Sequence, residues 1–232
     1  MTPLETIKKQ LAKKATGFAT GGFKPTNSMT ESWIGRVYLY REDEGIPKDK
    51  NGKQMFPLFQ VWLKDLPYIP DDLIGIKALT VFIAGEIPVD LTPNGENWLI
   101  REYKETDVLV VKDLVNENSY LKAFPLKPEM IEADYPVWDG GGIPEELGNE
   151  ILELEDNGEI DDYYDIAEPV YSHKIGGYPT FCQPGIDFGE GFEFMMQISS
   201  DEKANLNIVD SGTIFLAKNT ATGEWKYYCD FY

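Results

Sequence analysis

The chain has 232 residues, of which 42 % are hydrophobic and 13 % aromatic, enough for a packed core and too many for global disorder. Its 40 acidic residues outweigh 21 basic ones, and the net charge of −19 disfavours binding to nucleic acid phosphates and to anionic membranes. A field of this sign favours a basic partner, although acidity also serves solubility alone.

The cysteine content and the apolar runs indicate the cellular compartment. Cys182 and Cys229 are the only cysteines, too few for a disulfide framework or a thiolate metal site. No apolar run approaches the ~20 residues that cross a bilayer, and the basic N-terminal residues are not followed by the apolar segment of a signal peptide. We therefore expect a reduced, cytoplasmic protein that carries no metal and no cofactor.

The first predicted element is an N-terminal helix over residues 3–14. Thr2 can cap it, Pro3 suits the first helical position, and Glu5 is favourable in the first turn. Apolar residues follow at helical spacing. Gly17 and the glycines after it are expected to end the helix.

Residues 32–111 predict a first β-rich unit. Aromatic and β-branched runs alternate there with glycine, proline and Asn51-Gly52 turn signals. The predicted strands cover residues 33–40, 56–63, 79–84, 98–103 and 108–111.

Residues 112–165 are expected to connect this unit to a second one. Several prolines and Gly140-Gly141-Gly142 indicate irregular chain, and Pro144 starts a predicted helix. Residues 145–165 hold ten acidic and no basic residues. Because the apolar residues of this segment fall on one helical face, we interpret it as a solvated amphipathic helix and not as a metal site.

The motifs of the first unit recur in the same order within residues 172–232, which predicts an internal duplication. The recurring residues are Ser32 and Ser172, Gly35 and Gly176, Gln60 and Gln197, Phe82 and Phe215, and Trp98 and Trp225. The sequence therefore predicts one α+β domain over residues 1–232, internally duplicated into two β-rich halves. A pseudo-two-fold would relate the halves, with an N-terminal helix and a helix between the halves.

The second unit carries a specific motif, His173-Lys174-Ile175-Gly176-Gly177-Tyr178-Pro179-x-x-x-Gln183. This motif resembles the signature of the YwqG-like family of bacterial proteins, a domain of unknown function, and the resemblance covers roughly residues 30–232. The first unit departs from the pattern at Ser32–Tyr38, where the second glycine and the proline are missing. The resemblance implies a duplicated α+β fold and no particular activity.

No complete catalytic constellation is visible, and we assign no catalytic residue. His173 is the only histidine, and Ser172 beside it would point to the opposite face of a strand. A structural hydrogen-bonding role is favoured over a catalytic one. Gly176-Gly177 is explained by a tight turn or by a ligand lying against bare backbone.

The candidate binding residues come mainly from the motif of the second unit. They are His173, Lys174, Gly176, Gly177, Tyr178 and Gln183, together with the matching glutamines Gln60 and Gln197. A buried glutamine must satisfy several hydrogen bonds, so this pair is expected to clamp loops across the pseudo-two-fold.

Two hypotheses of function remain open. The first is a non-enzymatic protein-binding module for a basic protein partner, in one version an immunity-like protein that neutralises a basic toxin. The second is an enzyme or small-molecule-binding protein with a pocket between the two halves near His173–Gly177. The sequence leaves the partner, the ligand and the oligomeric state open.

Overall fold

The dominant element of the chain, seen in a computed structural model that describes residues 2–231, is a ten-stranded antiparallel sheet. Its strand order is β12-β11-β10-β9-β1-β8-β2-β4-β5-β6, and β3 and β7 form a separate pair. The strands of residues 2–231 are β1 (Lys13–Thr20), β2 (Ser32–Ile34), β3 (Leu39–Tyr40), β4 (Phe56–Trp62), β5 (Ile76–Ile83), β6 (Trp98–Lys104), β7 (Val110–Val111), β8 (Phe124–Asp134), β9 (Lys174–Gly176), β10 (Phe192–Ser199), β11 (Thr213–Asn219) and β12 (Trp225–Asp230). Met1 and Tyr232, the ends of the predicted domain, lie outside the described residues.

Two α-helices, α1 (Pro3–Leu11) and α2 (Glu145–Asp156), complete the fold of the described residues. The Thr2 hydroxyl accepts from the Glu5 N–H and the Glu5 carboxylate accepts from the Thr2 N–H, so α1 begins where the sequence predicts. It ends three residues earlier than predicted, because Lys13 already belongs to β1. No helix in this part of the chain is both long and apolar enough to cross a membrane.

The predicted α+β class is wrong, because the fold is mostly β. Residues 13–20 and 124–134, interpreted as a helix end and as connection, are strands β1 and β8. The helix expected between the halves does not separate them. Apolar side chains of α1 and α2 instead pack into one shared cluster with Tyr163, and β1 and β8 fill the middle of the sheet.

The central strands join the halves by exchange. Strand β1 leads into the first half of the chain but pairs with β9 of the second half. Strand β8 leads into the second half but pairs with β2 of the first half. β1 and β8 pair with each other along nearly their whole length, from Lys13 opposite Asp134 to Thr20 opposite Leu126. The result is one continuous sheet with four strands on either side of a central pair.

The strand registers bear on the predicted duplication. Gln60 lies opposite Thr80 and Gln197 lies opposite Phe215, and both β4 and β10 have a register shift just before the glutamine. If the glutamines are superposed, Thr80 falls on Phe215, so the predicted equivalences of Gln60 with Gln197 and of Phe82 with Phe215 cannot both hold. Superposition of the halves as whole units stays a prediction.

The two outermost strands, β6 and β12, meet through their side chains and bring the sheet close to a barrel. The rings of Trp98 and Tyr227 stack with centroids 5.4 Å apart, and the Trp225 indole N–H donates to Glu102 Oε1 at 2.7 Å. The Lys218 ammonium also lies 2.6 Å from Glu102. We call this junction the seam. One hydrophobic core runs through both halves behind it.

Candidate functional site

A buried ion pair organises the β9 end of the predicted binding motif. Lys174 Nζ lies 2.6 Å from Asp134 Oδ2, and both side chains are fully buried. The same carboxylate accepts from the Tyr178 N–H at 2.8 Å and from the Val170 N–H at 3.0 Å. Burial lowers the pKa of Lys174, and the attraction of Asp134 opposes this shift. Asp134 therefore ties the end of β8 to the chain on both sides of β9.

His173 is held by hydrogen bonds at both ring nitrogens. The Ser199 N–H donates to Nδ1 at 3.0 Å, so the ring proton of the neutral form is at Nε2, which lies 3.2 Å from Asp201 Oδ2. The Thr20 hydroxyl donates to the same carboxylate oxygen. Burial alone would raise the pKa of Asp201, but the hydrogen bonds from His173 and Thr20 hold it well below its usual value. The ring thus has no free nitrogen for a substrate.

The two glycines of the motif are needed for close packing. Gly176 and Gly177 have φ angles of +79° and +71°, which favour glycine. A Cβ on Gly177 would lie 2.1 Å from Asp134 Oδ2, and one on Gly176 would lie 2.6 Å from the Tyr68 ring. Protein side chains therefore occupy the space beside both residues. A ligand against this backbone stays a prediction, one that the packing does not favour.

Each predicted glutamine clamps loops within its own half of the molecule. Gln60 Oε1 accepts from the Tyr38 and Leu39 N–H groups, and its amide donates to Glu31 O at 2.9 Å. Gln197 Oε1 accepts from the N–H and hydroxyl of Thr180 at 3.3 and 3.2 Å, and its amide donates to Ser172 O. Both side chains are fully buried. The expected clamp across the pseudo-two-fold is therefore not what these side chains form.

The remaining motif residues do not converge with these on one cavity. The Tyr178 ring is buried under the Lys13 ammonium, whereas Gln183 donates to Phe231 O. The structure thus brings Lys174, Gly177 and Tyr178 together on Asp134, with Gln197 opposite Lys174 in the sheet, and leaves Gln60 and Gln183 apart. Asp134 was missed by the sequence analysis, although a lysine in an apolar motif is a signal that an acidic partner must exist.

A further cavity lies elsewhere, at the seam. It has a volume of about 590 Å³ and runs along β12. Its walls are residues 91–93, residues 185–189 and residues 224–228. We call it the seam groove. Thr92 is anchored because its carbonyl accepts from the Trp98 indole at 2.7 Å. The groove lies between the halves, as the second hypothesis expects of a pocket, but His173–Gly177 do not line it.

The free edge of β12 forms one side of the seam groove. The Asn219 N–H donates to Glu224 O across the hairpin, which sets the alternation of the ladder between β11 and β12. Lys226 and Tyr228 therefore bond to β11, while the backbone groups of Trp225 and Tyr227 point away from it. The first half differs, because at β6 the Gly95 N–H donates to Trp98 O and the Ile100 N–H donates to Asn94 Oδ1.

The charged groups of the seam groove are mostly acidic. Asp187 and Glu224 line it, and Lys226 is its one basic side chain among the described lining residues. The Lys226 ammonium donates to Phe188 O at 2.6 Å and lies 3.9 Å from the centre of the Phe192 ring. This cation is thus already engaged by the protein itself. The groove offers apolar walls, acidic groups and unpaired backbone.

The described residues contain no group of metal ligands, and the Cys182 thiol is not activated. Within residues 2–231 no three His, Cys, Asp or Glu side chains are grouped as metal ligands. Burial raises the pKa of Cys182 to about 11, and the neighbouring Asp230 carboxylate adds to the shift. This thiol is therefore protonated at neutral pH and a poor nucleophile. That the protein binds no metal stays a prediction.

Comparison with known proteins identifies a family without assigning a reaction. Residues 34–221 match the family described as a domain of unknown function, DUF1963. No protein with curated annotation matches the chain. The YwqG-like name stays a prediction that is consistent with this result. Because this match covers well over half of the chain, the chain belongs to the DUF1963 family.

Proposed function

We propose that this protein is a non-enzymatic binding module that holds a basic partner protein in the seam groove. The observation that carries the proposal is the groove itself, where aromatic residues of β12 and the exposed side chain of Leu91 form apolar walls beside Asp187 and Glu224. A cavity of about 590 Å³ lies in the range of binding clefts. Aromatic side chains are enriched at protein interfaces.

The charge of the chain supports a basic partner. A net charge of −19 accelerates encounter with a cationic protein and repels anionic ones, and the effect weakens with added salt. A basic toxin is one partner of this chemistry, so an immunity-like role is one form of the proposal. A cytoplasmic location is a further part of it, in keeping with two free cysteines.

The proposal is tested by two matched variants used as bait. Leu91→Arg places a cation in the seam groove, and Val108→Arg makes the same change at an exposed apolar residue outside it. Their side chains are 75 % and 81 % exposed, so neither substitution disturbs the core. Proteins retained from a lysate of the source cells are quantified by mass spectrometry at low and high salt.

We expect the wild type and Val108→Arg to retain the same basic protein, with retention falling as salt rises. Leu91→Arg should retain about tenfold less, corresponding to about 1.4 kcal/mol of binding free energy. Equal retention by both variants would mean that the groove is not the binding site. Retention of acidic partners alone would contradict the charge argument.

A further inference from the structure

We infer that the partner binds by adding an extended segment of its chain to the free edge of β12, as an eleventh strand of the sheet. This inference rests on the proposed function and specifies the mode of binding. Strand addition uses backbone hydrogen bonds for affinity and side-chain pockets for specificity.

The unpaired backbone of β12 is the first observation. The N–H and C=O groups of Trp225 and Tyr227 face the seam and have no backbone partner among the described residues. Both side chains are buried in the core, which fixes the strand in place. Four hydrogen-bonding groups are therefore presented in strand geometry along one wall of a groove.

The second observation is that the opposite edge of the same sheet is partly protected. On β6 two of the four backbone groups in matching positions are occupied by the preceding loop: the Trp98 carbonyl accepts from the Gly95 N–H, and the Ile100 N–H donates to Asn94 Oδ1. Open edges invite pairing, and proteins usually cover them or place lysine on them. On β12 the ammonium of the lysine, Lys226, is already engaged by the Phe188 carbonyl and the Phe192 ring. The edge of β12 is thus left open at positions where that of β6 is partly occupied.

Charge and shape select the occupant. A second copy of this chain would bring another net charge of −19 and a second Glu224 to the same edge, so self-pairing is opposed. A segment that pairs with residues 224–228 spans about 16 Å at the usual rise of about 3.3 Å per residue. Its side chains would meet Leu91 and Phe188, which line the groove together with β12. Basic side chains in it would lie close to Asp187 and Glu224.

The test uses two synthetic peptides with blocked ends and identical side chains. One is an octapeptide that alternates lysine and valine, and the other is the same peptide N-methylated at its four central residues, which removes the donors of both strand edges. Amide hydrogen exchange of the full-length protein is measured residue by residue with each peptide. Sedimentation in the absence of peptide reports whether the edge pairs with a second copy.

We expect the unmethylated peptide to slow exchange at Trp225 and Tyr227 by about tenfold or more at a peptide concentration of about 1 mM. The amides of Lys226 and Tyr228, already bonded to β11, should change little, and the methylated peptide should have no effect. Equal effects of the two peptides would overturn strand addition and leave the proposed groove intact. Failure of both peptides to bind, or dimerisation through β12, would also overturn it, while the proposed function is decided separately by Leu91→Arg.

Discussion

Strands β2 and β9 occupy matching places beside the central pair but bury different side chains. In β2, Trp33 lies opposite Gln60, and its ring packs against Tyr38 with centroids 5.5 Å apart. In β9, Lys174 lies opposite Gln197 and forms a buried ion pair with Asp134. At this position the first flank is thus filled by aromatic packing. The second flank is filled by the charged Lys174, whose partner Asp134 is the last residue of β8.

The residues before these two positions repeat the contrast. Ser32 Oγ accepts from the N–H of Trp62, the last residue of β4, and His173 Nδ1 accepts from the N–H of Ser199, the last residue of β10. Only His173 reaches further, to Asp201. The same backbone arrangement therefore accommodates different side chains at these positions, and only in the second flank do they form buried contacts with carboxylates. Breaking those contacts should affect the two flanks unequally.

The largest expected effect is that of Asp134→Ala. It leaves the Lys174 ammonium and the N–H groups of Tyr178 and Val170 without an acceptor in a dry site, so the free energy of unfolding should fall by about 3–5 kcal/mol. Asp113→Ala, which breaks an exposed pair with Arg36, should cost less than about 1 kcal/mol. Urea unfolding measures both.

Should Asp134→Ala fail to fold, the double variant Asp134→Leu/Lys174→Met removes both charges and is expected to be markedly more stable than the single one. A loss below about 1 kcal/mol for Asp134→Ala would show that the ion pair does not organise this flank.

A smaller effect is expected from Gly177→Ala, with Gly52→Ala as its control. Both glycines have positive φ angles, +71° and +81°, so each alanine pays about 1 kcal/mol of backbone strain. Only at Gly177 does the new Cβ meet another group, Asp134 Oδ2, whereas no atom lies within 4 Å at Gly52. Thermal melts should therefore show an additional loss of at least about 1–2 kcal/mol for Gly177→Ala. Equal melting temperatures would mean that the Asp134 side chain moves aside freely.

The smallest effect concerns the pH dependence contributed by Asp201. Because hydrogen bonds from His173 and Thr20 hold its pKa below the ordinary 3.8, its ionised form stabilises the fold above that pH. This contribution is lost as the pH falls below 3.8 toward the folded-state pKa. Asp201→Asn should thus lower stability at neutral pH by about 1 kcal/mol and flatten the acid limb of the stability curve. Urea midpoints between neutral pH and about pH 2 measure this, and an unchanged acid limb would contradict the assignment.

Much of each flank could be predicted from sequence because the local signals agree with the final structure. The predicted strands at 56–63, 79–84 and 98–103 lie close to β4, β5 and β6, and Pro144 directly precedes α2. The central strands could not be predicted. β1 contains two lysines and a glycine, and β8 contains Pro125 and Pro128, residues that individually argue against a central strand. Neighbours on both sides override these weak preferences.

The candidate site, like the sheet, could be predicted from the sequence only in part. The motif residues from His173 to Gly177 are concentrated where the structure has its buried polar network, because charged and glycine residues in an apolar stretch must have packing reasons. The roles of Asp134 and Asp201 and the presence of the seam groove could not be predicted from the sequence. Their roles come from contacts between residues far apart in the chain, and no local pattern records such contacts.

The sequence by itself determined the start of α1, the flanking strands, the acidic charge and the family motif, since each of these depends on neighbouring residues or on simple counts. Only the tertiary structure decided that the fold is mostly β, that β1 and β8 pair across the halves, and that the edge of β6 is partly covered while that of β12 is open. These outcomes depend on long-range strand pairing. The stability of a strand depends on the neighbouring strands it packs against in the sheet as well as on its own residues.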